Sequence, residues 1–419
     1  MLGLAVDPRA ARRRTHRGFR CIAAVVLIVG FAASYVVTSA TGQQASRDVP
    51  ASALKTVAFV NPRVGYGMFE QRSPVRCEDV VAKTVDGGAQ FTSPVRVTSF
   101  DCDGDAPVGA LAFDAHGDGF LYGPRLYVTH DGGRSWARDA QPGQVLAVSA
   151  IGRSVWMVED GCFTLPPEGG PQRCPLRVIE SRDGGRTWAP APSEPAGATL
   201  YGAAYDSLQS AYGQTWLVRV SRLAAYLLST PYRTEASRGS APLWYTDDGA
   251  TSWTTRRIVC DKVGAQSPAF SVVLSQARDG TLVAVCSGEG SAGFEPKAVA
   301  VSTDDGRTWS ERGPCTTALD SCSRNPLTFG YLGEVDAVSA GTAYLIGMRS
   351  SLLVTHDGGV HWRKAGTIGS VNGPPDEVLF FDPEHGVVVG QANTATAQAT
   401  IWHTSNGGRS WTAVTPRVS

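Results

Sequence analysis

Short apolar runs of four to six residues recur from about residue 55 to the C-terminus, each broken by Gly, Pro, Asp or Ser. Runs of that length bounded by turn formers read as β-strands, and a run apolar throughout reads as a strand covered on both faces. One series falls at 56–60, 109–113, 145–149, 200–205, 270–274, 335–339 and 378–381. A second follows each after a short turn, at 65–69, 120–123, 155–158, 215–220, 281–286, 343–347 and 387–390. A third, seen at 126–129, 178–181, 352–355 and 401–404, runs straight into a turn, and an aromatic residue opens a fourth strand beyond it. Few segments have helical period, so the pattern predicts an all-β chain of seven four-stranded units.

The turn before the fourth strand is nearly the same each time. It reads Thr129-His-Asp-Gly-Gly-Arg-Ser-Trp136 and returns as Ser181-Arg-Asp-Gly-Gly-Arg-Thr-Trp188, Thr246-Asp-Asp-Gly-Ala-Thr-Ser-Trp253 and Ser302-Thr-Asp-Asp-Gly-Arg-Thr-Trp309. Two later copies are Thr355-His-Asp-Gly-Gly-Val-His-Trp362 and Thr404-Ser-Asn-Gly-Gly-Arg-Ser-Trp411, and a weaker first one is Thr84-Val-Asp-Gly-Gly-Ala-Gln-Phe91. The closing aromatics lie 45, 52, 65, 56, 53 and 49 residues apart. A period of that length marks a repeat fold built from one supersecondary unit. Asp86, Asp131, Asp183, Asp248, Asp304 and Asp357, with Asn406 in the last copy, read as side chains that accept turn N–H bonds. The glycines after them supply positive φ. Trp136, Trp188, Trp253, Trp309, Trp362 and Trp411 read as apolar pins to neighbouring units. These residues are assigned to the fold and not to catalysis.

These stretches resemble the Asp-box, or BNR repeat, with its Ser/Thr-x-Asp-x-Gly-x-Thr/Ser-Trp pattern; Asn406 and Phe91 are departures from it. The resemblance implies a β-propeller with each box between the third and fourth strands of a blade. The outlines Val57-Ala-Phe-Val-Asn-Pro-Arg-Val-Gly-Tyr-Gly67 and Val378-Leu-Phe-Phe-Asp-Pro-Glu-His-Gly-Val-Val-Val-Gly390 are similar to repeats of the photosystem II assembly and stability factor family. That likeness implies seven blades and a non-enzymatic role with protein partners. Strand exchange between the termini is the alternative way to complete blade one. Sialidases are a more distant likeness. Their chemistry needs an arginine cluster, a tyrosine with a glutamate beside it and an acidic proton donor. Arg63 falls in a first-to-second-strand turn, and no arginine trio can be assigned around Tyr331 and Glu334.

Composition narrows the setting. The chain carries 38 basic and 38 acidic residues, so no long-range field favours nucleic acid. Six arginines precede an uncharged run at 21–38, which orients residues 1–20 inside and the remainder outside. The run is read as a membrane anchor, with cleavage after Thr38-Ser39-Ala40 as the alternative, 39–53 as a tether and 54–419 as the propeller. Outside the leader are eight cysteines, an even number suited to disulfides in an exported chain. Proximity pairs Cys162 with Cys174 and Cys315 with Cys322; proximity and elimination pair Cys77 with Cys102 and Cys260 with Cys286.

If strands alternate through each blade, all boxes share one face. The long connections 159–175, 221–242 and 311–334, and the cysteines, then lie on the other face, where long loops on a rigid scaffold place recognition. Candidate binding residues there are Arg222, Tyr226, Tyr232, Arg233, Arg238, Arg324 and Tyr331, since arginine and tyrosine are enriched at recognition surfaces. Asp101-Cys-Asp-Gly-Asp105 has part of a calcium-loop spacing but lacks the later Gly and Glu, so no metal is assigned. No cofactor motif occurs. The reading is a single-copy, membrane-tethered scaffold binding a protein or cell-envelope polymer through its cysteine-bearing face. An exo-sialidase-like hydrolase and a glycan-binding lectin are the alternatives.

Overall fold

The computed structural model describes residues 54–73, 76–103, 106–140, 143–161, 172–202, 215–229, 240–260, 263, 271–288, 295–312, 326–347, 351–368, 377–390 and 399–419. Residues 1–53, including the segment read as an anchor, lie outside them.

The described chain is a seven-bladed propeller of antiparallel blades. Blade one holds β1 (Leu54–Phe59), β2 (Gly65–Arg72), β3 (Cys77–Thr84) and β4 (Gln90–Phe100). Blade two holds β5 (Ala110–Phe113), β6 (Gly119–Tyr122), β7 (Leu126–Thr129) and β8 (Ala137–Asp139); blade three holds β9 (Val145–Ile151), β10 (Ser154–Asp160), β11 (Gln172–Ser181) and β12 (Ala189–Pro190). A short β13 (Thr199–Gly202) pairs with the far end of β11. Blade four is β14 (Thr215–Arg219), β15 (Ala225–Ser229), β16 (Ser240–Thr246) and β17 (Thr254–Val259). Blade five is β18 (Ser271–Gln276), β19 (Leu282–Ser287), β20 (Lys297–Ser302) and β21 (Ser310–Arg312). Blade six is β22 (Glu334–Ala337), β23 (Ala343–Ile346), β24 (Leu353–Thr355) and β25 (Arg363–Lys364); blade seven is β26 (Glu377–Phe380), β27 (Gly386–Gly390), β28 (Thr400–Thr404) and β29 (Thr412–Val414).

Burial follows strand position. In blade five every residue of β19 and β20 is buried, because neighbouring blades cover both faces, which is why those strands are almost unbroken apolar sequence. The outermost strands, such as β8 and β17, are largely exposed and polar. The aromatic that ends each box packs in the seam with the preceding blade. Trp309 lies against blade four, Trp362 against blade five and Trp411 against blade six.

The ring closes differently from simple exchange of terminal strands. Blade one has four strands of its own, and β30 (Arg417–Val418) adds a fifth, pairing parallel with β4. Phe91 and Val418 are fully buried there together with Ile401 of blade seven. Phe91 therefore does in the first box what Trp does in the others.

Blade four corrects the sequence reading. The segment 215–220 was expected as a second strand and 221–242 as a loop; instead β14 is the innermost strand and β15 the second. The expected first strand at 200–205 is represented by β13, an appendage of blade three. The reason is local. The Ser221 hydroxyl accepts the N–H groups of Leu223 and Ala224, so a four-residue turn suffices to reverse the chain and the apolar run after it becomes a buried strand.

Candidate functional site

Every box shares three bonds around its Asp or Asn Oδ1 and its leading hydroxyl, and four boxes add a hydroxyl to Oδ2, as the second box shows. The Thr129 hydroxyl donates to Asp131 Oδ1 at 2.8 Å and accepts the Gly133 N–H at 3.0 Å. Asp131 Oδ1 accepts the Ser135 N–H at 2.9 Å, and Oδ2 accepts its hydroxyl at 2.6 Å. These bonds, the Ser135 hydroxyl first, hold the Asp131 carboxyl down at about 2. Asp248 and Asp304 are held at about 2 in the same way, and Asp183 and Asp357 are also lowered. Carboxylates so occupied are poor proton donors at neutral pH.

A further bond ties six of the seven boxes to the inner hairpin of their own blade. Gly87 N–H donates to Arg63 O, Gly132 to Gly117 O, Gly184 to Arg153 O and Gly249 to Leu223 O, with equivalents at Gly358 and Gly407. Boxes and first-to-second-strand turns therefore share one face. The bonded cysteines sit at the opposite strand ends: Cys77 with Cys102 inside blade one, and Cys260 with Cys286 between blades four and five. Cys174 is also disulfide-bonded. Cys162, Cys315 and Cys322 lie outside the described residues.

On the box face, between blades three and four, is a cleft of about 690 Å³. Arg153 enters from the turn after β9, Arg182 from the third box and Arg222 from the turn after β14. The Arg222 guanidinium lies over Gly152, where a Cβ would stand 3.6 Å from its Nη2. The floor is Trp156, with the Arg219 guanidinium stacked 4.4 Å from its ring. Arg219 is held by Ser154 O at 2.8 Å, Ser154 Oγ at 3.0 Å and Arg222 O at 3.0 Å. Burial, with Arg222 adding to it against the pull of Glu180, brings Arg219 down to about 10.

The cleft's two carboxylates are already engaged. Glu180 accepts from Arg182 at 2.8 Å, and Asp248 is fastened within its box. Among the described residues, the Arg153 and Arg222 side chains have no ion pair or hydrogen bond. Beside them the rim carries Leu223, 57% exposed, and nearby Val220, 44% exposed. Cation and apolar surface thus stand together.

Of the residues proposed from sequence, Arg222 reaches this cleft, on the box face and not the cysteine face. Tyr226 does not: it is buried in the core between blades four and five, its hydroxyl 3.3 Å from Asp305 Oδ1, because it belongs to β15. Tyr331 is half-buried ahead of β22. Tyr232, Arg233, Arg238 and Arg324 lie outside the described residues. Glu334 accepts the Val378 N–H at 2.8 Å, linking the inner strands of blades six and seven. Among the described residues, no group of His, Cys, Asp and Glu is arranged to hold a metal. Arg153, Arg182 and Arg219 escaped the sequence reading, although two of them stand in turn positions that the box pattern places on one face.

Residues 238–418 match the BNR repeat-like domain family. That stretch is less than half of the chain, and it agrees with the propeller fold and the box turns of the blades it covers. No curated protein matches its sequence. Among solved structures the propeller is similar to YCF48 bound to a D1 peptide, at 19% identity over 83% of this chain and 94% of that one, with a TM-score of 0.51. It is similar to YCF48 from Cyanidioschyzon merolae at 14% identity over 85% and 96%, with a TM-score of 0.52. It also matches an α-L-arabinofuranosidase from Fusarium graminearum at 14% identity over 83% and 91%, with a TM-score of 0.44.

Proposed function

We propose that this propeller is a non-enzymatic, membrane-tethered scaffold on the outer side of the membrane that holds a protein partner. The carrying observation is the cleft between blades three and four. Two guanidiniums without partners among the described residues stand beside an exposed Leu223 there, while both neighbouring carboxylates are occupied. That combination suits an extended protein segment with a carboxylate next to an apolar side chain, because guanidinium binds carboxylate through paired hydrogen bonds. It does not suit hydrolysis, which needs an available proton donor within reach of the bond to be broken. The YCF48 propeller solved with a D1 peptide is an example of this fold holding a peptide. The departure from the sequence reading is the face used.

The test is site-specific photocrosslinking from position 223 in the anchored full chain. The expected result is one dominant protein adduct that disappears in the Arg153→Glu/Arg222→Glu double variant. An adduct unchanged by the double variant would overturn the proposed cleft. Cleavage of sialoside or arabinan substrates by the purified chain would overturn the non-enzymatic reading.

A further inference from the structure

One box differs from the other six at its third position. Asn406 stands where the others have Asp, and the turn is intact: the Thr404 hydroxyl donates to Asn406 Oδ1 at 3.0 Å, and the Ser410 N–H donates to the same oxygen at 3.0 Å. Its Nδ2 donates to Ser410 Oγ at 2.7 Å, where an aspartate would accept. The exchange keeps the fastening and deletes one negative charge.

That charge is deleted at the wall of a second cleft. Between blades six and seven on the box face is a cavity of about 570 Å³ lined by Asn406, Arg363, Arg409, His356, Tyr344 and Glu384, among others. Among the described residues, neither Arg363 nor Arg409 has a side-chain hydrogen bond or ion pair. Both side chains line the same cavity. Burial first, and then Arg363 and Arg409 together, depress the His356 imidazole below its ordinary range. His356 Nδ1 lies 3.3 Å from the Thr342 hydroxyl, and the Tyr344 hydroxyl donates to Gly407 O at 2.8 Å. The cleft between blades three and four contrasts with it, since the Asp of its box is retained in the wall.

We propose that the cleft between blades six and seven binds an oxyanion, phosphate or carboxylate, carried on a hydroxylated sugar-like molecule. Arg363 and Arg409 take the anion from two sides. Hydroxyl groups of the ligand meet Glu384 and the neutral imidazole of His356. Asn406 is the specificity device: an aspartate there would repel the ligand and engage a guanidinium. The proposal is independent of the partner cleft between blades three and four.

The experiment is isothermal titration calorimetry on the full chain, with inorganic phosphate, glucuronate and uncharged glucose as probes. Saturable binding of phosphate or glucuronate but not glucose is expected, and whichever anion binds identifies the source of the charge. Arg363→Gln and Arg409→Gln should abolish it. Asn406→Asp, which restores the box found in six other blades and so should fold, should weaken it at least tenfold. Arg138→Gln, on the exposed outermost strand of blade two and in neither cleft, should leave it unchanged. Absence of saturable binding for both anions, equal binding of glucose, or unaltered affinity in Asn406→Asp would each overturn the proposal.

Discussion

The Thr56 hydroxyl donates to Glu377 Oε1 at 2.7 Å, tying the innermost strand of blade one to that of blade seven. It is the ring-closing member of a series. Glu334 accepts the Val378 N–H, Asp336 the Phe380 N–H at 2.5 Å, and Ser275 Oγ the Ala337 N–H at 3.0 Å. In these last three bonds the side chain satisfies a free backbone donor on the next blade's inner edge, a group that is costly to leave unpaired.

This arrangement gives stability a pH dependence. Burial pushes Glu377 up to about 7 and Asp336 to about 7; burial, and then Glu377, pushes Glu334 to about 8. Their unfolded values lie near ~4, so the protonated folded form is favoured. The stabilisation is fully present below ~4 and is lost as pH rises through 7 to 8. Glu377→Gln keeps an acceptor for Thr56 and removes one titration. Between pH 5 and pH 8 its unfolding free energy should fall less than that of the native chain, by about 1 kcal/mol once the partial exposure of Glu377 is allowed for. Parallel pH profiles for the two proteins would refute this.

The boxes act in the opposite direction. Asp131 is held down at about 2, so its contribution is present above ~4 and lost as pH falls toward 2. Asn406 shows that an amide makes the same turn bonds. Asp131→Asn should therefore cost little at pH 7 and remove part of the acid sensitivity. Asp131→Ala leaves the Ser135 N–H without its acceptor and should cost about 1–2 kcal/mol, by analogy with loss of a helix cap. Thermal denaturation at pH 7 and pH 3 separates the two; equal losses for Asn and Ala would contradict the argument.

The architecture was legible because the box is a local device. A hydroxyl, a carboxylate and two positive-φ positions lie within five residues, so a short stretch of sequence carries the whole turn. Even the departures are physical: Ala250 and Asp305 occupy positive φ where the other boxes have Gly. Blade four was misread because a four-residue turn capped by Ser221 carries no Gly or Pro. The clefts were invisible for a different reason. Arg153, Arg182 and Arg222 are brought together from two blades and three turns, and only the ring decides which turns adjoin.

Closure of the ring by β30 predicts a C-terminal sensitivity. Val418 is fully buried against Phe91 and Ile401 of the blade one–seven seam. A charge there would lose its hydration without a partner. Val418→Asp should destabilise the propeller by about 2–4 kcal/mol. Val418→Ile, which adds a methylene to a fully buried site, should cost about 1–3 kcal/mol. Denaturant unfolding followed by tryptophan fluorescence measures both, and a Val418→Asp protein as stable as the native chain would show that β30 does not secure the ring.

Glu159 makes the opposite kind of prediction. It lies on β10 with 0% exposure, and among the described residues neither carboxylate oxygen has a hydrogen-bond partner. Burial is the largest influence on it and raises it to about 7; Arg177 opposes, while Asp160 and Asp139 add to the rise. Above that pH the folded state must hold a buried charge between blades two and three that Arg177 offsets only in part. Below it the carboxyl is neutral and the penalty shrinks to that of a buried hydroxyl. Glu159→Met, similar in length and apolar, should therefore stabilise the propeller by about 1–3 kcal/mol at pH 8 and by less at pH 5. Glu159→Gln, which stays polar but cannot ionise, should recover the pH-dependent part alone. Urea midpoints of the three proteins at both pH values decide it, and a loss of stability in Glu159→Met at pH 8 would show that the carboxylate is compensated in solution.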